Sequence, residues 1–109
     1  MATLYIAEAA NMTFLPNALG QMMPMPPAAE QTVAIGGGAT QSAPFGSLWS
    51  PPLPLDGRTI FLRIHTDSIC SIAWGANPTA TTANMRLAGN QTEYFGARPG
   101  YMLSVISNT

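Results

Sequence analysis

The chain has 109 residues, the length of a single domain spanning 1–109. Only 8% of its residues are charged, against about 25% in an average globular protein, and the formal net charge is -1 with no lysine at all. These values exclude a basic footprint for nucleic acid and a polybasic membrane anchor, while the 47% hydrophobic content is enough for a core.

A surface with so few charges must be covered by Ser, Thr, Asn, Gln, Ala and Gly. Such a surface repels copies of itself weakly and favours association; a neutral, soluble β-protein would have the same composition. The lone Cys70 excludes an internal disulfide. No apolar run approaches the ~20 residues of a membrane-spanning helix. The stretch Met1–Glu8 lacks the basic region of a signal peptide, so the expectation is a protein made and used without secretion.

In chain order, Leu4 and Ile6 share one face of a first strand, and Ala7–Met12 can hold a turn of helix at most. Asn11–Pro27 follows, with Met12, Met22, Met23 and Met25 among Pro16, Pro24, Pro26 and Pro27. Val33 and Ile35 mark a strand that Gly36-Gly37-Gly38 ends. Gly46–Gly57 sets Leu48, Trp49, Leu53 and Leu55 among Pro51, Pro52 and Pro54. Both segments are too rich in proline for helix or central strand, and too apolar for ordinary solvated loops. They read as extended, polyproline-like arms that dock either on the chain's own sheet or, as expected here, on a neighbouring subunit.

The clearest strand is Thr59–His65, where Ile60, Leu62 and Ile64 alternate with Phe61, Arg63 and His65. Thr66-Asp67-Ser68 supplies turn chemistry. Ile69–Trp74 follows with Cys70, Ile72 and Trp74 on one face, so the pair predicts a hairpin. Gly75-Ala76-Asn77-Pro78 ends it. Met85 and Leu87 alternate with Asn84 and Arg86, and Gly89-Asn90 marks a turn. Thr92–Phe95 is a short strand, and the turn Gly96–Gly100 leads to a last strand. There Tyr101, Leu103 and Val105 oppose Met102, Ser104 and Ile106. Six to eight short strands separated by turn signals predict an all-β fold, a β-sandwich or jelly-roll-like barrel. The alternation places Ile60, Leu62, Ile64, Cys70, Ile72, Leu103 and Val105 in its core.

Catalytic chemistry is hard to assemble from this inventory. His65 is the only histidine, and a Cys70–His65 pair across the expected hairpin lacks an orienting third group and an oxyanion hole; a half-buried structural histidine is the plainer reading. One His and one Cys do not make a four-ligand zinc site, and the five carboxylates are scattered singly. Gly36-Gly37-Gly38-Ala39-Thr40 lacks the lysine of a phosphate cradle and reads as a strand connection. No cofactor box is present, and an enzyme is not expected. Aromatic and methionine side chains outside or at the edge of the strand pattern remain: Tyr5, Phe14, Met22, Met23, Met25, Leu48, Trp49 and Leu53. Tyr, Trp and Met are enriched at interfaces, so these eight are the candidate interface residues.

Several strings in the chain carry a resemblance. They are Met1-Ala2-x-Leu4-Tyr5-Ile6-x-Glu8, Ala29-Glu30-Gln31-x-Val33-x-Ile35, Gln41-Ser42-Ala43-x-Phe45, and Phe61-Leu62-Arg63-Ile64-His65-Thr66-Asp67-Ser68-Ile69-Cys70-Ser71-Ile72. Asn77-Pro78-Thr79-Ala80-Thr81, Arg86-Leu87-Ala88 and Gln91-Thr92-Glu93-Tyr94-Phe95-Gly96 extend it over most of the chain, except 11–27 and 46–57. Together they resemble small virion proteins of tailed bacteriophages, of the capsid cement or decoration type. The resemblance implies a structural virion protein on the outer capsid surface, synthesised in the host bacterial cytoplasm. It implies a homo-oligomer, dimer or trimer, that bridges the major capsid protein and binds neither nucleic acid nor membrane. The rival within the same virion is a tail, adaptor or fibre component that acts as a binding module.

Overall fold

The computed structural model describes residues 2–10 and 25–108, together with the backbone of the pairs 13–14 and 21–22. Among these residues the strands are β1 (Ala2–Ala9), β2 (Thr13–Phe14), β3 (Gln21–Met22), β4 (Ala29–Ile35), β5 (Thr40–Gln41), β6 (Ile60–Thr66), β7 (Cys70–Gly75), β8 (Met85–Leu87), β9 (Thr92–Ala97) and β10 (Met102–Ser107). Eight of them form two antiparallel four-stranded sheets. Sheet one runs β4-β1-β6-β9, sheet two runs β5-β10-β7-β8, and β2 pairs with β3 in a separate short ribbon. There is no helix among the described residues. The protein is all-β, and its two sheets face each other as a β-sandwich.

The period-two pattern explains the layers. On β6, Ile60, Leu62, Ile64 and Thr66 are buried, while Phe61, Arg63 and His65 stay half-buried on the outer side. All seven expected core residues are buried, each at 1% exposure or less. They join Leu4, Ile6, Val33, Ile35, Phe45 and Leu87 in one cluster between the sheets. Phe45 lies on no strand, so no alternation points to it. It sits against Trp74, with ring centroids 5.9 Å apart, and Trp74 in turn meets Phe95 at 5.0 Å.

The expected hairpin of Thr59–His65 with Ile69–Trp74 does not form. Both strands exist, but β6 belongs to sheet one and β7 to sheet two. β6 already has β1 on one side and β9 on the other, so it has no free edge for β7. The corner between them is built locally. The Thr66 hydroxyl donates to the Ser68 carbonyl (2.5 Å) and accepts from the Ser68 N–H (3.2 Å). The Asp67 carboxylate accepts from the Thr3 N–H (2.8 Å), so the corner is tied to the start of β1. Crossing over sets the apolar faces of β6 and β7 opposite each other instead of side by side. β9 and β10 are divided between the sheets in the same way. Of the stretch Ala7–Met12, read as holding a turn of helix at most, Ala7–Ala9 is the end of β1 and 11–12 lie outside the described residues. Tyr101, placed on the inner face with Leu103 and Val105, precedes β10 and is 41% exposed.

The two outer faces differ. Residues 76–84 cross the outer side of sheet two, where the Ala80 N–H donates to Ser104 Oγ (3.0 Å) and Gln41 Nε2 donates to the Pro78 carbonyl (2.8 Å). Asn108 Nδ2 reaches both Ser71 Oγ (2.7 Å) and the Thr82 carbonyl (3.2 Å). Ser71 and Ser104 are therefore buried although they point away from the core.

Candidate functional site

β1 carries an acid into the interior. Glu8 follows Leu4 and Ile6 on the inward face and is fully buried. Its Oε1 accepts from the Gly46 N–H (2.9 Å) and from Trp49 Nε1 (3.0 Å), and its Oε2 from Gln31 Nε2 (3.4 Å). Gln31 also accepts the Ala43 N–H at its Oε1 (2.9 Å). No cation takes part. The carboxylate is held by three neutral donors, two from the loop after Phe45 and one from β4, which fasten that loop to β1 and β4. Gly46 adopts φ 88°, a left-handed conformation that favours glycine, and a Cβ there would meet the Leu53 side chain at 3.1 Å.

This arrangement decides where Gly46–Gly57 docks. The segment is a loop without regular structure, and its first half is turned, with the Trp49 and Leu53 N–H groups both donating to the Gly46 carbonyl (3.4 and 3.0 Å). Trp49 and Leu53 are partly buried against the core cluster. An extended arm reaching to a neighbour is thus corrected for this stretch: the loop folds back and closes one end of the chain's own sandwich. A buried acid needs its donors, and the indole of Trp49 is one of them.

The other candidate interface residues divide. Phe14, Met22 and Met23 fall where the structure describes no side chain, and most of 11–27 lies outside the described residues. Tyr5 is exposed, on the outer face of sheet one. Met25 and Leu48 are exposed at the end of the sandwich where β1 and β9 finish and β4 and β6 begin. Leu55 and Tyr101 are exposed at that same end. The turn 98–101 is joined to the loop there, since the Phe45 N–H donates to the Tyr101 carbonyl (2.8 Å) and the Gly100 N–H to the Phe45 carbonyl (2.9 Å). Four of the seven exposed large apolar side chains among the described residues therefore share this proline-rich end. Leu55 is the most exposed of them at 81%, and its place beside Pro54 in an apolar, proline-rich run was the available signal. Glu8 was legible too: its parity matches Leu4 and Ile6, but a charge does not read as core.

Reactive groups are kept apart. His65 points outward, with Nδ1 2.8 Å from Thr92 Oγ1, whereas Cys70 faces the core and donates to Thr66 Oγ1 at 3.6 Å. They lie on different faces and do not form a nucleophile–base pair. Burial pushes the Cys70 thiol above its ordinary value, which disfavours the reactive thiolate. In the native protein Cys70 should resist a thiol reagent that labels it at once after unfolding; rapid native labelling would contradict its burial. Among the described residues the one ion pair joins Arg58 and Asp56 at 2.8 Å, on the exposed rim of the loop, and no three metal-capable side chains converge. The Arg58 guanidinium holds the Asp56 carboxyl below its usual range.

Fold and surface together define a class, a small antiparallel β-sandwich with an apolar proline-rich end. No protein-family model, no curated protein and no solved structure matches the chain.

Proposed function

We propose that the chain is a capsid cement protein of a tailed bacteriophage. It binds the outer surface of the head as a homo-oligomer and bridges neighbouring copies of the major capsid protein. The observation that carries this reading is the grouping of Met25, Leu48, Leu55 and Tyr101 at one end of a nearly charge-free protein. Exposed apolar side chains gathered in one place mark an interaction surface. The major capsid protein as partner is supported by the resemblance of the sequence strings to small virion proteins. Many identical attachment points on a shell would convert modest contacts into tight binding.

Copy number tests the reading. Quantitative mass spectrometry of purified virions of the encoding phage should find hundreds of copies per particle. A handful of copies would replace the cement assignment by a tail or adaptor module, and absence from the virion would overturn both. The surface has its own test. Leu48→Ser combined with Leu55→Ser changes exposed side chains, so the melting curve should stay nearly unchanged, within the ~0.5 kcal/mol usual for surface substitutions. Sedimentation with expanded capsids should then show lost binding; full retention would remove the proline-rich end from the interface.

A further inference from the structure

The outer face of sheet one holds a second feature. Cross-strand register lays two rows of side chains across it. Thr32, Tyr5, His65 and Thr92 form one row, and Glu30, Ala7, Arg63 and Tyr94 form the next. Ala7 is the smallest member, so the sheet dips between Glu30 and Arg63, whose strands stand about 10 Å apart on either side of β1. The dip is an open trough of about 650 Å³ lined by Tyr5, Ala7, Glu30, Thr32, Arg63 and His65. That volume lies inside the range of roughly 300–1,000 Å³ typical of small-molecule sites.

Its chemistry is mixed and balanced. The Tyr5 ring is 46% exposed and leans on His65, with centroids 6.3 Å apart and planes at 43°. His65 is itself fixed by its contact with Thr92, so the aromatic surface is set in place before any ligand arrives. Arg63 and Glu30 make no ion pair among the described residues. The trough thus offers guanidinium donors on one bank, carboxylate acceptors on the other, and no excess of either sign. A phosphate or a nucleic acid would call for an excess of positive charge. A purely apolar ligand would leave both charged groups desolvated without partners. A sugar ring satisfies every wall: its C–H face rests on an aromatic ring, and its hydroxyls each donate and accept.

We propose that this trough binds a neutral oligosaccharide, with one ring on Tyr5 and the adjoining hydroxyls held between Arg63 and Glu30. The proposal is independent of the capsid reading, since the trough lies on the sheet face and the apolar surface lies at the end of the sandwich. Copies displayed on a shell would bind a glycan surface with avidity even if a single trough binds weakly.

The test is an amide-resolved NMR titration of the whole chain with three neutral trisaccharides built from glucose, galactose or N-acetylglucosamine. At millimolar ligand at least one should give saturable shifts at Tyr5, Ala7, Thr32 and Arg63. Tyr5→Ala should weaken that binding about tenfold or more. Glu30→Gln keeps the shape of an exposed side chain and removes its charge; it should weaken binding by a similar factor with an unchanged melting curve, and it decides the matter if Tyr5→Ala fails to fold. Absence of shifts with all three sugars would overturn the proposal, as would unaltered binding by Glu30→Gln. So would displacement of the sugar by inorganic phosphate, which would make Arg63 a simple anion site.

Discussion

Replacing Leu62 by alanine is expected to cost about 2–5 kcal/mol in denaturant unfolding, the range found for buried leucines that leave a cavity. Leu62 is fully buried and lies on β6 between Glu8 of β1 and Phe95 of β9. Two hydrogen-bonded neighbours hold that strand in place, so little collapse into the vacated space is available. For a domain of this size each kcal/mol corresponds to roughly 4–8 °C in melting temperature, so the variant should be visibly less heat-stable. A loss below about 1 kcal/mol would mean that the centre of sheet one is not close-packed against sheet two.

Glu8→Ala should produce the second large effect. The substitution strips the acceptor from the Gly46 N–H and the Trp49 indole, and an orphaned buried donor costs about 1–3 kcal/mol. The loop from Gly46 to Gly57 would lose its fastening, and tryptophan fluorescence should shift to the red as Trp49 meets water. Glu8→Gln retains an oxygen acceptor and should lose less. If Glu8→Ala matches the parent in both stability and emission, the carboxylate does not hold the loop.

The strands, their inward faces and the all-β class were readable because alternation is local: each residue's side is fixed by its neighbours two positions away. Pairing was not readable. Thr66-Asp67-Ser68 has the composition of a tight turn, yet here it makes a corner between sheets, because β1 and β9 occupy both edges of β6. That choice depends on strands far away in the chain. Phe45 escaped because it is a plug on a loop. Trp49 was legible as an anchor by residue type; what it anchors to is Glu8, forty-one positions earlier. Proline content announced a loop in 46–57 and was silent on the surface it would cover. The trough on sheet one depends on three strands coming into register, with Ala7 small between Glu30 and Arg63, and no single segment carries that signal.

The position of β1 bears on how the molecule is made. It is the first strand in the chain but an interior strand of sheet one, and Ile6 waits for Ile64 as its neighbour on one side and for Gln31 on the other. β6 in turn lacks its outer neighbour until Thr92–Ala97 has emerged. Sheet one is complete only once β9 has joined β6, and pairing between distant segments must precede most of the burial. Domains built this way refold in milliseconds to seconds, not microseconds. A chain cut short before Thr92 would expose the hydrogen-bonding edge of β6, a template for pairing with other copies, so such fragments should aggregate whereas the chain that includes β9 should not.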